Sequence, residues 1–316
     1  MLKNSYCVIK STKNFSVWQI KSADFYKKEN IEKTHMRISH CGGKNMKKKT
    51  IALILAAMMS SIALSACGKP AVDTSSDLAV IKDKGKMVIG ITEYQPMNYY
   101  DENGELTGFD TEFAKMACEK LGVEPVFQII DWDTKETELK SGNIDCIWNG
   151  LTVTEDRKAN MDFTEAYLTN KQCVVINSAN SDTYTDIASL SSAMLQAEAG
   201  SAGETAIKSA PELASSTYTG AASQADALLA LKAGNCDAIV IDYTMANASC
   251  GTGDYADLCI VKDIEMAGEL YAIGFRTGSD VTPEMNTIIK GLQDDGSLRS
   301  LAEKYELTEL YDATVK

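Results

Sequence analysis

From Met87 onward the chain alternates short apolar runs with longer stretches in which apolar residues recur every three or four positions. The first pattern is that of buried strands, the second that of helices with one face in a core. Met87–Gly90 reads as a strand, and Phe109–Leu121 as a helix with Phe109, Phe113, Met116, Ala117 and Leu121 along one stripe. Val126–Ile130 reads as a strand, Trp132–Lys140 as a helix and Asp145–Trp148 as a strand. Later come an alanine-rich helix at Ala222–Ala233 and a strand at Ala238–Ile241. A further helix is opened by Thr282-Pro283-Glu284, with Thr282 as N-cap and Pro283 at the first helical position. Regular alternation of strand and helix predicts an α/β fold of parallel sheets covered by helices.

The pattern contains an internal echo. The stretch Leu139-Lys-Ser-Gly-Asn-Ile-Asp-Cys-Ile-Trp-Asn149 returns as Leu231-Lys-Ala-Gly-Asn-Cys-Asp-Ala-Ile-Val-Ile-Asp242. Each copy ends a helix at a glycine, turns into an apolar strand and delivers a polar residue at the strand's carboxyl end. Open α/β sheets bind ligands beyond those ends, so two copies suggest two lobes facing one cleft. A common helix-to-strand turn occurring twice is the plainer alternative.

The first 66 residues have a different character. Met46-Lys-Lys-Lys-Thr is followed by the apolar run Ile51–Met59 and a small-residue zone ending at Ala66, the layout of a secretory signal. Leu64-Ser65-Ala66-Cys67 looks like a bacterial lipobox, which would place a lipid on Cys67. A plain secretory signal that contains a cysteine is the alternative. Residues 1–45 precede this complete signal and are set aside as a spurious or disordered extension, 46–66 as signal peptide and 67–78 as a flexible tether.

Setting residues 1–66 aside changes the charge. They hold 12 of the 31 Lys and Arg but only 3 of the 44 Asp and Glu, leaving 19 basic and 41 acidic residues, a net charge near −22. Such a surface repels phosphate backbones and argues against nucleic-acid partners. Both histidines, His35 and His40, fall in the excluded part. The remaining chain thus lacks histidine for acid/base catalysis, nucleophile activation or metal binding, and no metal or cofactor is expected. Cys118, Cys146, Cys173 and Cys236 lie in apolar patterns and read as core residues, and no C-x-x-C pair is present. Cys250 and Cys259 could pair in an exported protein, a pairing that needs a geometry the sequence does not supply.

Five segments, in order, carry a family resemblance. They are Gly90-Ile-Thr-Glu-Tyr-Gln-Pro-Met-Asn-Tyr99, Gly104-Glu-Leu-Thr-Gly-Phe-Asp110, Gly142-Asn-Ile-Asp145, Gly150-Leu-Thr-Val-Thr-Glu-Asp-Arg157 and Met161-Asp-Phe-Thr-Glu-Ala-Tyr167. From about Met87 to Tyr305 the chain resembles the polar-amino-acid class of ABC-transporter solute-binding proteins. The resemblance implies a two-lobed periplasmic-binding-protein-like fold of type II, with two parallel or mixed sheets joined by two hinge strands. Residues 79–170 and 270–316 would form lobe I and residues 171–269 lobe II, with hinges near Thr169–Cys173 and Ala267–Tyr271. It also implies a monomer that takes a free amino acid outside the membrane and hands it to an ABC permease.

Position by position, the resemblance assigns Tyr94, beside Glu93, and Trp132 to the pocket walls. Asn149, Gly150 and Thr152 would hold the ligand's α-carboxylate together with Arg157. Ser201 and Ala202 open a second-lobe helix whose N-terminus reinforces that site, and Asp242 would meet the ammonium. Met97 stands where phenylalanine is usual, which leaves side-chain recognition open, and Ala202 where a hydroxyl residue is common, which leaves a backbone N–H but no side-chain donor. The chemistry is coherent: a guanidinium offers a bidentate fork for a carboxylate, a helix N-terminus attracts anions, and a buried ammonium demands a counter-charge. Other readings stand beside these: a surface Arg157 paired with Asp156 or Glu155, Asp242 as an N-cap, and Trp132 as core; Asp110, following Gly-Phe, is itself expected to cap a helix. Trp148 is expected in the core. Two further functions remain in view. One is an enzyme of the same fold, resembling a cyclohexadienyl or arogenate dehydratase, with Glu93 or Glu204 forced into acid/base work. The other is a ligand-sensing module for a membrane receptor.

Overall fold

The computed structural model describes residues 75–264, 266 and 268–315. The expected signal segment and Cys67 lie outside them, as does Ala267 in the second expected hinge. Helix α1 (Asp77–Lys84), capped by the Ser76 hydroxyl, opens inside the stretch read as a tether. It leads into β1 (Lys86–Ile91), a small hairpin of β2 (Tyr99–Tyr100) and β3 (Leu106–Thr107), helix α2 (Phe109–Leu121) and β4 (Glu124–Ile129). A 3₁₀ turn at Trp132–Thr134 precedes α3 (Lys135–Ser141), β5 (Cys146–Ile147), the single turn α4 (Glu155–Lys158) and β6 (Met161–Phe163). The long strand β7 (Leu168–Asn177) crosses to a second sheet. There follow β8 (Met194–Glu198), α5 (Ala202–Ser209), β9 (Thr217–Ala221), α6 (Gln224–Lys232), β10 (Ala238–Asp242), α7 (Tyr243–Ser249) and β11 (Leu258–Ile260). Strand β12 (Gly268–Tyr271) returns to β13 (Gly274–Arg276), and α8 (Val281–Asp294), α9 (Ser297–Lys304) and α10 (Thr308–Thr314) close the chain.

The two lobes are built on two mixed sheets. The first has the order β4-β1-β5-β13-β6, with β1 parallel to both neighbours and β13 antiparallel to both of its own. The second has the order β11-β7-β10-β8-β9, with β12 also pairing β7. Within these two sheets the purely parallel pattern expected from alternation thus fails only where β7 and β13 run back. The connecting segments lie side by side, Leu168 opposite Tyr271 and Lys171 opposite Gly268. Among the described residues no helix is long and apolar enough to cross a membrane.

The internal echo has a physical basis. Gly142 and Gly234 both adopt the left-handed conformation, with φ of 76° and 74°, which ends each helix without a Cβ clash. Three residues later an aspartate clamps the neighbouring strand. Asp145 N donates to Val88 O (2.7 Å) and its Oδ2 accepts from Val88 N (2.9 Å). Asp237 N donates to Met194 O (2.8 Å) and its Oδ2 accepts from Met194 N (2.7 Å). The same two-point clamp therefore fixes β5 against β1 and β10 against β8, which sets where each strand ends.

Several sequence expectations change. Trp132–Lys140 is not one helix: Asp131 caps a 3₁₀ turn, which breaks the path before α3. Helix α8 begins at Val281, so Thr282 and Pro283 lie inside its first turn rather than at N-cap and N1. The N-cap position is Asp280, but its carboxylate is occupied by Ser76 Oγ and Leu78 N of α1. A proline is tolerated there because first-turn N–H groups have no helical partner to lose. Cys250 and Cys259 are both free thiols, as are the four core cysteines. Trp148 is fully buried, edge-on to Phe113 at 4.8 Å between ring centroids.

Candidate functional site

The carboxyl ends of β5 and β10 meet across the interlobe gap. On the first-lobe side, the Thr154 hydroxyl caps α4 by accepting from Arg157 N at 3.2 Å. This single turn throws the Arg157 side chain back into the gap, where it is buried. Nη1 donates to Thr152 O (2.8 Å), and Nη2 donates across the gap to Gly200 O (3.0 Å). Burial works against the guanidinium charge, while the carboxyl groups of Glu269, Glu136, Asp242 and Glu198 favour it. Lys135, also buried, donates to Trp132 O (3.1 Å) and to the same Gly200 O (3.0 Å), its ammonium 4.9 Å from the Trp132 ring centroid. Burial, and next the neighbouring Arg157, push its pKa down to about 8.

On the second-lobe side, Asp242 ends β10 with both carboxylate oxygens engaged. Oδ1 accepts from Tyr271 Oη (2.6 Å), Asn170 Nδ2 (2.7 Å) and Gln172 Nε2 (2.7 Å), and Oδ2 accepts from Gln224 Nε2. The N-cap alternative fails: Asp242 sits at that position of α7 without a side-chain cap bond. Asn170 and Gln172 each donate also to Glu269 Oε1, at 2.6 and 2.9 Å. Burial and the facing Asp242 raise the Glu269 carboxyl above the usual carboxylate range. Ser201 is the N-cap of α5, its hydroxyl accepting from Glu204 N at 3.1 Å, so this helix starts where the sequence places it.

A small cavity is enclosed between these groups, with about 10 Å³ open to the centre of a water-sized sphere. It is lined by Trp132, Asn149, Gly150, Thr152, Arg157, Ser201, Ala202 and Asp242, which is eight of the ten residues singled out from the sequence, and by Glu198 and Gln224. Thr152, Arg157 and Ala202 also line a wider groove of about 780 Å³ that opens outward. Glu93 and Tyr94 are not brought into the cavity. Glu93 is exposed, and Tyr94 is buried with its hydroxyl bonded to Thr244 Oγ1 and, at 2.8 Å, to Tyr271 Oη. Trp132 belongs both to the wall and to an apolar cluster with Ile130, Leu139 and Ile147. Asn149 turns its amide away, to Thr92 Oγ1 (2.7 Å), Thr92 N (3.1 Å) and Asn98 Nδ2 (2.8 Å), so it shapes the loop.

Sequence reasoning missed Glu198, Gln224, Asn170, Gln172, Tyr271 and Lys135. Asn170 and Gln172 carried a usable signal, since polar residues two apart on a strand share a face. Glu198 precedes the Gly200-Ser201 turn and reads locally as an ordinary strand end. Asp110 is not the expected cap. It lies within α2, and its Oδ2 accepts from Gly150 N (2.7 Å) and Tyr167 Oη (2.9 Å), fixing the cavity-lining loop from behind. Burial raises its pKa to about 7.

The model of the bacterial extracellular solute-binding proteins, family 3, matches residues 87–308. The chain belongs to this family. The arginine-binding extracellular protein ArtP of Bacillus subtilis (strain 168) is 29% identical to it over 259 residues, covering 82% of this chain and 98% of ArtP. The L-cystine-binding protein TcyJ of Escherichia coli (strain K12) is 25% identical over 263 residues, covering 79% and 94%. Among solved structures, an ancestral arginine-binding protein bound to arginine superposes with a TM-score of 0.66 at 30% identity, over 70% of this chain and 98% of that one. The ancestral amino acid-binding protein AncCDT-1, a precursor of cyclohexadienyl dehydratase, gives 0.66 at 27% identity, over 73% and 99%. The two-lobed mixed α/β architecture of this family-3 solute-binding protein is thus that of amino acid-binding proteins, as the sequence implied. These relatives are named for binding, not for catalysis, and the family is extracellular by its description.

Proposed function

We propose that this family-3 protein captures a free polar amino acid between its lobes and presents it to an ABC permease, tethered to the membrane through a lipid on Cys67. The observation that carries the reading is that Arg157 from one lobe and Asp242 from the other line a single closed cavity. A zwitterion needs an anion site and a cation site a few ångströms apart, and leaving either charge unpaired out of water costs several kcal/mol. Arg157, with the Thr152 hydroxyl and the N-terminus of α5, suits the α-carboxylate. Asp242 suits the ammonium. With room for one water at most, an amino acid enters only after the lobes part. Paired β7 and β12 are the segments about which they would turn. Ligand contacts made to both lobes at once then supply the free energy for closure. The binding names of the relatives support this reading over a dehydratase.

A thermal-shift screen of free amino acids tests it. A ligand present at 100 times its Kd adds about 2.7 kcal/mol, or roughly 5–10 °C in Tm for a domain of this size. At least one polar amino acid is expected to do so, while its decarboxylated and deaminated analogues are not. Equal stabilisation by an analogue lacking either α-group, or turnover of an arogenate-like substrate, would contradict the reading.

A further inference from the structure

Glu198 is the one cavity-lining carboxyl group that the α-groups of a ligand do not call for. It ends β8, beside β10 in the sheet, and is 2% exposed. Among the described residues its Oε1 has no hydrogen-bond partner, whereas the Asp242 oxygens next to it accept from four side chains. A buried acceptor left bare opposes the closed state, so the cavity has acceptor capacity that a ligand donor would fill. We infer that Glu198 pairs with a cationic group on the ligand's side chain, so that the site selects basic amino acids. The inference rests on the amino-acid reading above and deepens it. The indole of Trp132, facing the same cavity from the other lobe, complements such a group, because aromatic faces and carboxylates both attract guanidinium and ammonium ions.

The charged groups around Glu198 give this pairing a pH signature. Asp242 faces it from β10, and Lys135, Arg157 and Asp131 face it from the first lobe. Burial, and next the Asp242 charge, raise the Glu198 carboxyl to about 8 despite Lys135 and Arg157. At neutral pH the closed, empty site therefore holds the proton. A ligand cation favours the ionised form, so binding releases that proton, and affinity for a basic ligand rises with pH until the empty-site pKa is passed.

Calorimetric titration of the purified protein with L-arginine, L-lysine and L-glutamine, in phosphate and in Tris, tests the inference. The expected result is tighter binding of the basic ligands and release of about one proton per arginine near pH 7. Arginine affinity should climb by up to about tenfold per pH unit between pH 6 and 7.5. In Glu198→Gln, checked for folding by its thermal transition, the proton release should fall by about one per arginine and the arginine-to-glutamine affinity ratio should fall at least tenfold. Any proton contributed by Lys135 would persist in that variant, which separates the two groups. Arginine binding no tighter than glutamine in the wild type, or a variant that keeps the proton release and the preference, overturns the assignment. If glutamine binds and basic ligands do not, only the role of Glu198 falls; if no amino acid binds, the amino-acid reading falls with it.

Discussion

Asp242→Ala is expected to weaken amino-acid binding by about 3 kcal/mol or more, over a hundredfold in Kd. Removing one partner of a buried charge pair leaves the other charge, here the ligand ammonium, stranded in a dry site. The substitution also frees the side chains of Asn170, Gln172, Gln224 and Tyr271, all of which donate to that carboxylate. Hydrogen bonds to a charged group are worth about 1.5–3 kcal/mol each before relaxation and water entry, so the unliganded protein should lose several degrees of Tm as well. Asp242→Asn keeps the shape but presents an amide donor to a ring of donors, and should bind nearly as poorly. Titration calorimetry with the tightest ligand, beside denaturant unfolding of the ligand-free variants, separates binding from folding. Wild-type affinity in Asp242→Ala would remove this carboxylate from the site.

Gly150→Ala is expected to be strongly damaging although it alters no polar group. Gly150 has φ of 58°, which costs an L-residue roughly 1–2 kcal/mol. A Cβ there would lie 2.6 Å from Tyr94 Cε1 and 3.0 Å from Tyr271 Cε2. Neither ring is free to move: both are fully buried, and their hydroxyls are bonded to each other, to Thr244 and to Asp242. Overpacking typically adds about 1–3 kcal/mol, so a total of roughly 2–5 kcal/mol, or about 5–15 °C in Tm, is expected. The same displacement pushes Tyr271 against Asp242 and shifts the amide that Asp110 holds, so ligand affinity should fall too. A variant with unchanged Tm and affinity would show that the loop has room this packing denies it.

Much of this site could be read from the sequence because its frame is local. A left-handed glycine, an aspartate clamp and an apolar strand recur in Gly142–Ile147 and Gly234–Asp242, and each of those features is specified within a few residues. The Arg157 turn is local as well, since its cap lies three residues away. The unread part is made by groups far apart in the chain. Lys135 is buried only because Gly200 closes over it from the other lobe. Tyr271 reaches Asp242 from the returning strand, and Glu198 faces the cavity because β8 and β10 end side by side. Periodicity does not report such meetings. Tyr94 shows the opposite failure: an aromatic beside a predicted pocket was read as wall, whereas its hydroxyl draws it into the interlobe network behind the Gly150 loop.

The most direct test is a crystal structure with the preferred amino acid bound. The ligand's carboxylate should lie on the Arg157 guanidinium, at about 2.7–2.9 Å, and its α-ammonium on Asp242, with both lobes in contact. A ligand seated with its α-groups away from this pair, or held by one lobe alone, would contradict the account.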